Sequence, residues 1–464
     1  MSSLHVVVLA AGQGKRMRSS IPKVLHRIGG LPMLERVVLA ARALAADAVH
    51  VVYGHGGDQV RRHMAHLDLH WAEQARQLGT GHAVAQAMPT VPDEAVVLIL
   101  YGDVPLIQPA TLEPLVAAAR AGEVGLLSVR LADPDGYGRI LRDPAGAVVG
   151  IVEDKDATPE QRFIVEGNTG ILAAPAARLR AWLASLDNNN AQGEYYLTDV
   201  IAMAVRDRVP VHSHLATTEA EVSGVNDRVQ LSVLERHFQR QQAEALMRSG
   251  ATLADPARVD VRGAVRVGTD VFIDVNVILE GEVEIGDDAS IGPNCVLKDC
   301  RIAAGAVIHP NCVIEQASVG PNARIGPYAR LRPGASLSED VHIGNFVEVK
   351  NTTIGRGSKA NHLTYLGDSD IGAGVNVGAG TITCNYDGYN KYRTEIGAGA
   401  FIGSNSALVA PVSIGDGALV AAGSVITRDV PADALAVGRG DEQIVREGKA
   451  AEINKRNAAR KAAK

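Results

Sequence analysis

The sequence predicts a three-layer α/β domain followed, after a long helix, by a parallel β-helix, and three observations carry that reading. Aliphatic residues recur every six positions after about residue 260. Before them, short and continuously apolar runs alternate with helical stretches. A length of 464 residues suggests about three structural units, or two where one is a repeat array.

The apolar runs come first. Val6-Val7-Val8-Leu9, Val49-His50-Val51-Val52 and Val96-Val97-Leu98-Ile99-Leu100 read as strands buried on both faces of a mostly parallel sheet. Residues 33–44 and 110–121 read as helices between strands, and this alternation gives a Rossmann-like three-layer domain over residues 1–228. The stretch 227–250, with Val229, Leu231, Leu234, Phe238 and Leu246 among charges, reads as one linking helix, which gives 229–250 as the segment between domains. The period follows at Val267, Ile273, Leu279, Ile285, Ile291 and Leu297. After a short phase slip it continues at Val307, Val313, Val319, Ile325, Leu331, Leu337, Ile343 and Val349, then resumes at Ile396, Ile402, Leu408, Ile414, Val420 and Ile426. Glycine often comes next, as at Gly268, Gly320, Gly344 and Gly403, where it is expected to permit a corner. Each hexad is then a short strand plus a corner of a parallel β-helix spanning 251–437, its aliphatic side chain turned inward. Sandwich strands would not keep so fixed a spacing.

Composition narrows the chemistry. Lys and Arg total 46 against 52 Asp and Glu, so a formal charge of −6 argues for small-molecule ligands rather than a nucleic-acid or membrane surface. Cys295, Cys300, Cys312 and Cys384 form no C-x-x-C pair, which favours reduced thiols in a cytosolic protein and leaves zinc and iron–sulfur sites without support. The N-terminus has no basic n-region and no run long enough to span a membrane, so a cytoplasmic location is expected and the Asn351-Thr352-Thr353 sequon carries no weight. The segment 438–464 is a basic tail, read as solvated.

The first strand runs into Leu9-Ala10-Ala11-Gly12-Gln13-Gly14-Lys15-Arg16-Met17 and then Pro22-Lys23. Glycines at the carboxyl end of a buried strand let main-chain N–H groups approach phosphate oxygens, and the cations neutralise charge there. The motif is neither the dinucleotide fingerprint nor a P-loop. The third strand ends in Tyr101-Gly102-Asp103, at the sheet edge where open α/β sheets bind ligands, and an Asp there can hold Mg²⁺ against a triphosphate. Gly-x-Gly-x-Arg-Met, Pro-Lys and Gly-Asp at these spacings resemble the sugar-1-phosphate nucleotidyltransferases.

Together with the hexads, the resemblance extends over the whole chain to the bacterial bifunctional N-acetylglucosamine-1-phosphate uridyltransferase/glucosamine-1-phosphate acetyltransferase family. It implies UTP, acetyl-CoA and glucosamine 1-phosphate as substrates, Mg²⁺ as cofactor, and a product, UDP-N-acetylglucosamine, that feeds cell-wall and lipopolysaccharide precursor synthesis. It further implies that Leu9, Ala10, Ala11, Gly12, Tyr101 and Gly102 line the nucleotide, with Gln74, Gly79 and Thr80 at the uracil and Gly138, Glu153 and Asn168 at the sugar. Asp103 and Asn226 would hold Mg²⁺, with Arg16 and Lys23 on the phosphates. Lys15 departs from the family, whose members often carry a hydroxyl residue there. The β-helix would be left-handed and three chains would pack side by side, with acetyl-CoA between neighbours.

In the repeat region His309 and His342 keep the phase and read as wall residues, whereas His362, in Asn361-His362-Leu363-Thr364-Tyr365-Leu366-Gly367, interrupts the glycine rhythm, as a loop or site would. In Val347-Glu348-Val349-Lys350 the two valines point inward, leaving Glu348 and Lys350 outward on one face. A second interruption from Cys384 to Tyr392 loops out with three tyrosines. Acyl transfer from a thioester to an amine needs a base that changes charge near neutrality, and histidine is the natural one. The resemblance implies His362 as that base with Glu348 orienting it. Arg332, Lys350, Tyr365 and Asn376 would bind the sugar phosphate, and Asn385, Tyr386, Ser404, Ala422 and Arg439 acetyl-CoA.

Overall fold

A computed structural model describes residues 2–440, so the tail expected at 438–464 lies outside the described residues beyond Gly440. The chain forms two compact units that divide at Ala245/Leu246, with Asp260–Gly263 belonging to the first.

In the first unit the strands Leu4–Ala10, Ala48–Tyr53 and Val96–Tyr101 lie side by side and parallel, as the apolar runs predict. His70–Glu73 extends this sheet at one edge and Val211–Leu215, paired with Val124–Arg130, at the other; Glu166–Pro175 runs antiparallel to both its neighbours. Alternate residues of one strand feed different cores: Val6 and Val8 pack with Leu34, Val37 and Leu112, while Val7 packs with Val84, Leu179 and Val200. A sheet buried on both faces leaves no polar alternation, which is why those runs are continuous.

The helix Arg228–Arg248 is more than a connection. Its Leu234 and Phe238 are buried with Met17, Ile28, Met33 and Leu106, and the Arg36 guanidinium stacks on the Phe238 ring at 3.9 Å. Val229, expected among its apolar positions, is 73% exposed.

The second unit is a stack of parallel strands in which each coil pairs with the coil before and after it. Coils take 17 or 18 residues: Phe272 pairs with Ser290, Ser290 with Val307, Val307 with Arg324 and Arg324 with His342. Ile273, Leu279, Ile285, Ile291 and Leu297 fill the interior as expected. The phase slip falls elsewhere than the period suggests. The inward residues after Leu297 are Ile302, Ile308 and Ile314, and Val319 restores the expected phase, while Val307 is half-buried and Val313 is 40% exposed. Each 17-residue coil omits one residue from three hexads, which moves the inward side chain by one position.

The hexad glycines also serve a different purpose from the one expected. A Cβ on Gly344 would stand 2.0 Å from the Asn361 carbonyl oxygen of the next coil, so close approach of backbones, not a left-handed corner, requires glycine there. The left-handed corners are shared between Asn and Asp, such as Asn276, Asn294, Asn311 and Asp340, and a different set of glycines, such as Gly305, Gly357 and Gly374. The segment around His362 does not loop out. Lys359–His362 and Tyr365–Gly367 are ordinary strands joined at Leu363, with φ +47°. The second interruption does: Asn376 pairs with Phe401, a coil of 25 residues, and the excess makes a small turn closed by an antiparallel bridge between Tyr386 and Lys391.

Candidate functional sites

Leu9 pairs with Tyr101 across adjacent parallel strands, so the chain leaving one strand end lies beside the chain leaving the other. A cavity of about 240 Å³ opens there, lined by Leu9, Ala10, Ala11, Gly12, Lys23, Gln74, Gly79, Thr80, Tyr101 and Asp103. Ten of the residues expected around the nucleotide thus meet in one place. Gln77 and Glu194 line it too. No sequence signal marks either, since both sit in irregular chain. Arg16 lies exposed on the short turn Lys15–Met17 and is not among the lining residues.

Gly14 enters that turn at φ +61°, and a Cβ on it would stand 2.7 Å from Lys23 Cβ; glycine lets Lys23 pack against the loop. The Lys23 ammonium bonds Asp103 Oδ2 and reaches Asn226 Oδ1 at 3.4 Å. One cation thus sits against both oxygens expected to hold Mg²⁺, and a carboxylate with an amide oxygen is a donor set that a hard cation accepts. Gln74 is buried, its Nε2 within 3.1 Å of the Gly79 carbonyl and 3.0 Å of His82 Nδ1, which leaves Oε1 as the free end of the amide. Gly79 has φ +114°, and a Cβ there would meet the Tyr195 carbonyl oxygen at 2.5 Å.

Asn168 N–H donates to the Gly138 carbonyl at 2.7 Å, and Glu153 accepts from Thr198 Oγ1 at 2.9 Å. Burial raises the Glu153 pKa against that hydrogen bond, and Asp199, Asp156 and Asp154 add to the rise. Burial likewise raises the Tyr101 phenol, with Glu153 and Asp103 adding to it.

In the second unit the expected residues fall on two adjoining faces. Val347 and Val349 are buried, and Glu348 pairs in register with Tyr365 on the next coil. Arg332 Nη1 donates to Glu348 Oε1 at 2.7 Å. Its carboxylate thus holds Arg332, while the side chain within hydrogen-bond distance of His362 is Asn345, with Oδ1 3.0 Å from Nδ1. Asn345 and His362 are paired on successive coils of the other face, which also carries Asn376. With the amide oxygen, an acceptor, facing it, Nδ1 is the donor nitrogen of the neutral ring and Nε2 is the one with a lone pair to offer.

Asn385 Nδ2 bonds Asp368 Oδ2 and lies 3.4 Å from the Tyr365 hydroxyl. Lys391, on the excursion, has its pKa lowered by the neighbouring Lys350 ammonium, so two cations face each other there. That pair suits an anion, and Lys391 was missed because the excursion stands out in sequence by its tyrosines. Tyr386 is exposed, its hydroxyl donating to the Gly388 carbonyl at 2.6 Å. Further along the stack Arg439 Nη1 donates to the Ala422 carbonyl at 3.2 Å, and the Ser404 carbonyl accepts from Gly423 N–H at 2.8 Å. His342, read as a wall residue, pairs with Lys359, and burial with the nearby Arg324 lowers its pKa.

A strand-end cavity in an α/β unit and a hexapeptide solenoid with polar ladders define a nucleotidyltransferase joined to an acyltransferase-type β-helix. Residues 6–189 match the MobA-like NTP transferase domain, 261–356 the GMPPB C-terminal domain, and 393–428 the hexapeptide repeat of succinyl-transferase. The chain is 57% identical over 443 residues to the bifunctional protein GlmU of Alkalilimnicola ehrlichii, covering 96% of each chain. It is 59% identical over 441 residues to that of Azotobacter vinelandii, covering 95% of this chain and 97% of the relative. The chain belongs to the bifunctional GlmU family. It is a uridyltransferase and an acetyltransferase of UDP-N-acetylglucosamine synthesis, and its solenoid is the left-handed β-helix of hexapeptide repeats.

Proposed function

We propose that the two activities are housed one in each unit, acetyl transfer preceding uridyl transfer, with the residues named above as their sites. Acetyl transfer joins the amine of glucosamine 1-phosphate to the acetyl carbon of acetyl-CoA: the C–N bond forms, the C–S bond breaks, and CoA leaves as the thiol. His362 Nε2 takes the proton from the sugar ammonium, and the lone pair fixed there by Asn345 supports that role. Arg332, Lys350 and Lys391 hold the sugar phosphate, and Arg332 is itself held by Glu348.

Uridyl transfer moves UMP from UTP to the phosphate of N-acetylglucosamine 1-phosphate with loss of pyrophosphate. The buried Gln74, its nitrogen committed to Gly79 and His82, offers Oε1 to a base edge that carries an N–H, as uracil does. Positioning and charge neutralisation are what this displacement requires of the protein. Asp103 and Asn226 would hold Mg²⁺, which supplies neutralisation of the triphosphate charge. Lys23, now against those same oxygens, is the residue next to the phosphates. The family's setting in the bacterial cytoplasm and its side-by-side trimer complete this reading; among the described residues no helix is long and apolar enough to cross a membrane.

The observation that carries the reading is full-length likeness to GlmU combined with two separate polar sites. A coupled assay with acetyl-CoA, glucosamine 1-phosphate, UTP and Mg²⁺, omitting each in turn, tests it. CoA release independent of UTP, and pyrophosphate release that needs either acetyl-CoA or added N-acetylglucosamine 1-phosphate, are expected. A β-helix that serves only as scaffold would release no CoA.

A further inference from the structure

Asp368 sits at the corner between Tyr365–Gly367 and Ser369–Ile371, at φ +49° and 8% exposed. Side-chain amides take both its oxygens: Oδ1 accepts from Asn351 Nδ2 at 2.6 Å and Oδ2 from Asn385 Nδ2. Burial alone would raise its pKa, but those two donors, with Lys350 and Lys391 nearby, hold it below the ordinary carboxylate range. An ionised carboxylate has no proton to give, so Asn385 can meet it only nitrogen first. The same nitrogen lies 3.4 Å from the Tyr365 hydroxyl, which commits its second hydrogen. What remains of the amide is Oδ1, an acceptor.

We propose that Asp368 is a positioning residue that fixes the polarity of Asn385, making it an obligate acceptor for a ligand N–H and, through it, turning the Tyr365 hydroxyl into a donor. This deepens the reading above and rests on Asn385 belonging to the acetyl-CoA site. The pantetheine arm of acetyl-CoA carries amide N–H groups, the donors that such an acceptor takes. With the amide reversed, N–H would face N–H, and a buried donor without a partner is costly.

A polarity swap tests this. In Asp368→Asn the new amide can meet Asn385 with either end, so kcat/KM for acetyl transfer falls about ten- to a hundredfold, chiefly through KM for acetyl-CoA, while uridyl transfer by the same preparation is unchanged. Asn385→Asp alone sets two carboxylates together and loses at least as much. The double variant Asp368→Asn/Asn385→Asp restores one donor at 368 and one oxygen facing the ligand, and recovers to within about fivefold of wild type. Losses that multiply in the double variant overturn the proposal, as does wild-type acetyl transfer by Asp368→Asn. Asn385→Ala separates the two readings. Wild-type kinetics there removes Asn385 from the acetyl-CoA site and the proposal with it, whereas a large loss beside a silent Asp368→Asn removes only the positioning role. Should Asp368→Asn not fold, calorimetry of acetyl-CoA with Asn385→Asp decides. Binding tightens as pH falls more steeply than in wild type, because a proton shared by the two carboxylates restores a donor towards Asp368, and a pH dependence like that of wild type overturns the proposal.

Discussion

The two units build a polar site in different ways. The first gathers residues from distant stretches: Asp103 follows a strand end, and Lys23 from a short turn and Asn226 from the segment before the helix Arg228–Arg248 meet it there. The second takes its residues from neighbouring coils, so that Asn345 and His362, or Arg332 and Glu348, are 17 and 16 positions apart. A strand-edge site therefore depends on the whole sheet holding its register. A solenoid site depends only on the few coils that carry it.

The largest expected effect would break that comparison if it failed. His362→Ala should lower acetyl transfer by about 10²- to 10⁴-fold and spare uridyl transfer, and Asp103→Ala should do the reverse. Separate assays of CoA and pyrophosphate release read both, and a variant that damages both reactions alike would mean that the sites are not independent. Chelation is the next test: EDTA should stop pyrophosphate release and leave CoA release intact, because the Mg²⁺ ligands proposed above, Asp103 and Asn226, belong to the first site.

Acid should separate the units as well. His50 is buried in the first unit beside His5 and His70; its pKa is lowered to about 4 by burial, with His5 and His70 adding to the shift. His5 is lowered too, by burial above all and despite Asp47 and Glu94. A histidine whose folded pKa lies below its unfolded value leaves stability complete above the unfolded value near 6.5 and erodes it as pH falls towards 4. For His50 alone the loss approaches about 3 kcal/mol. Uridyl transfer should therefore fail with unfolding of the first unit on acidification, and His50→Gln should flatten the fall; thermal unfolding from pH 7 to 4.5 measures it. The smallest effect sharpens the solenoid side: Asn345→Ala should cost acetyl transfer about tenfold, in kcat rather than KM, since it frees the His362 tautomer without removing the base.

Much of the fold was legible because burial leaves periodic marks, and the exceptions have a physical cause. Val307 and Val313 each precede another aliphatic residue, Ile308 and Ile314, so either phase satisfies the period. Only the length of the coil decides between them. The strand-edge cavity was legible from Gly12, Gly14 and Asp103, since phosphate chemistry demands such residues at strand ends. Asn345, Asp368 and Lys391 were not, because the coil spacing says which positions can pair but not which of the many outward polar residues do. The hydrogen bond from Arg332 to Glu348 was likewise not legible, since the resemblance ties Glu348 to His362 and says nothing of a guanidinium on the preceding coil. The helix Arg228–Arg248 looked like a connector because its buried Leu234 and Phe238 are few among charges.

The coil that carries the excursion is eight residues longer than the 17-residue coil before it, yet Asn376 still meets Phe401 and Ile382 still meets Ala407 in unbroken register. The stack is therefore indifferent to how much chain leaves at a corner, provided the chain returns to the same place. Such a scaffold can acquire chemistry by insertion without renegotiating its core. Cutting the excursion back to the neighbouring coil length would leave a closed, silent rung in an otherwise unchanged ladder.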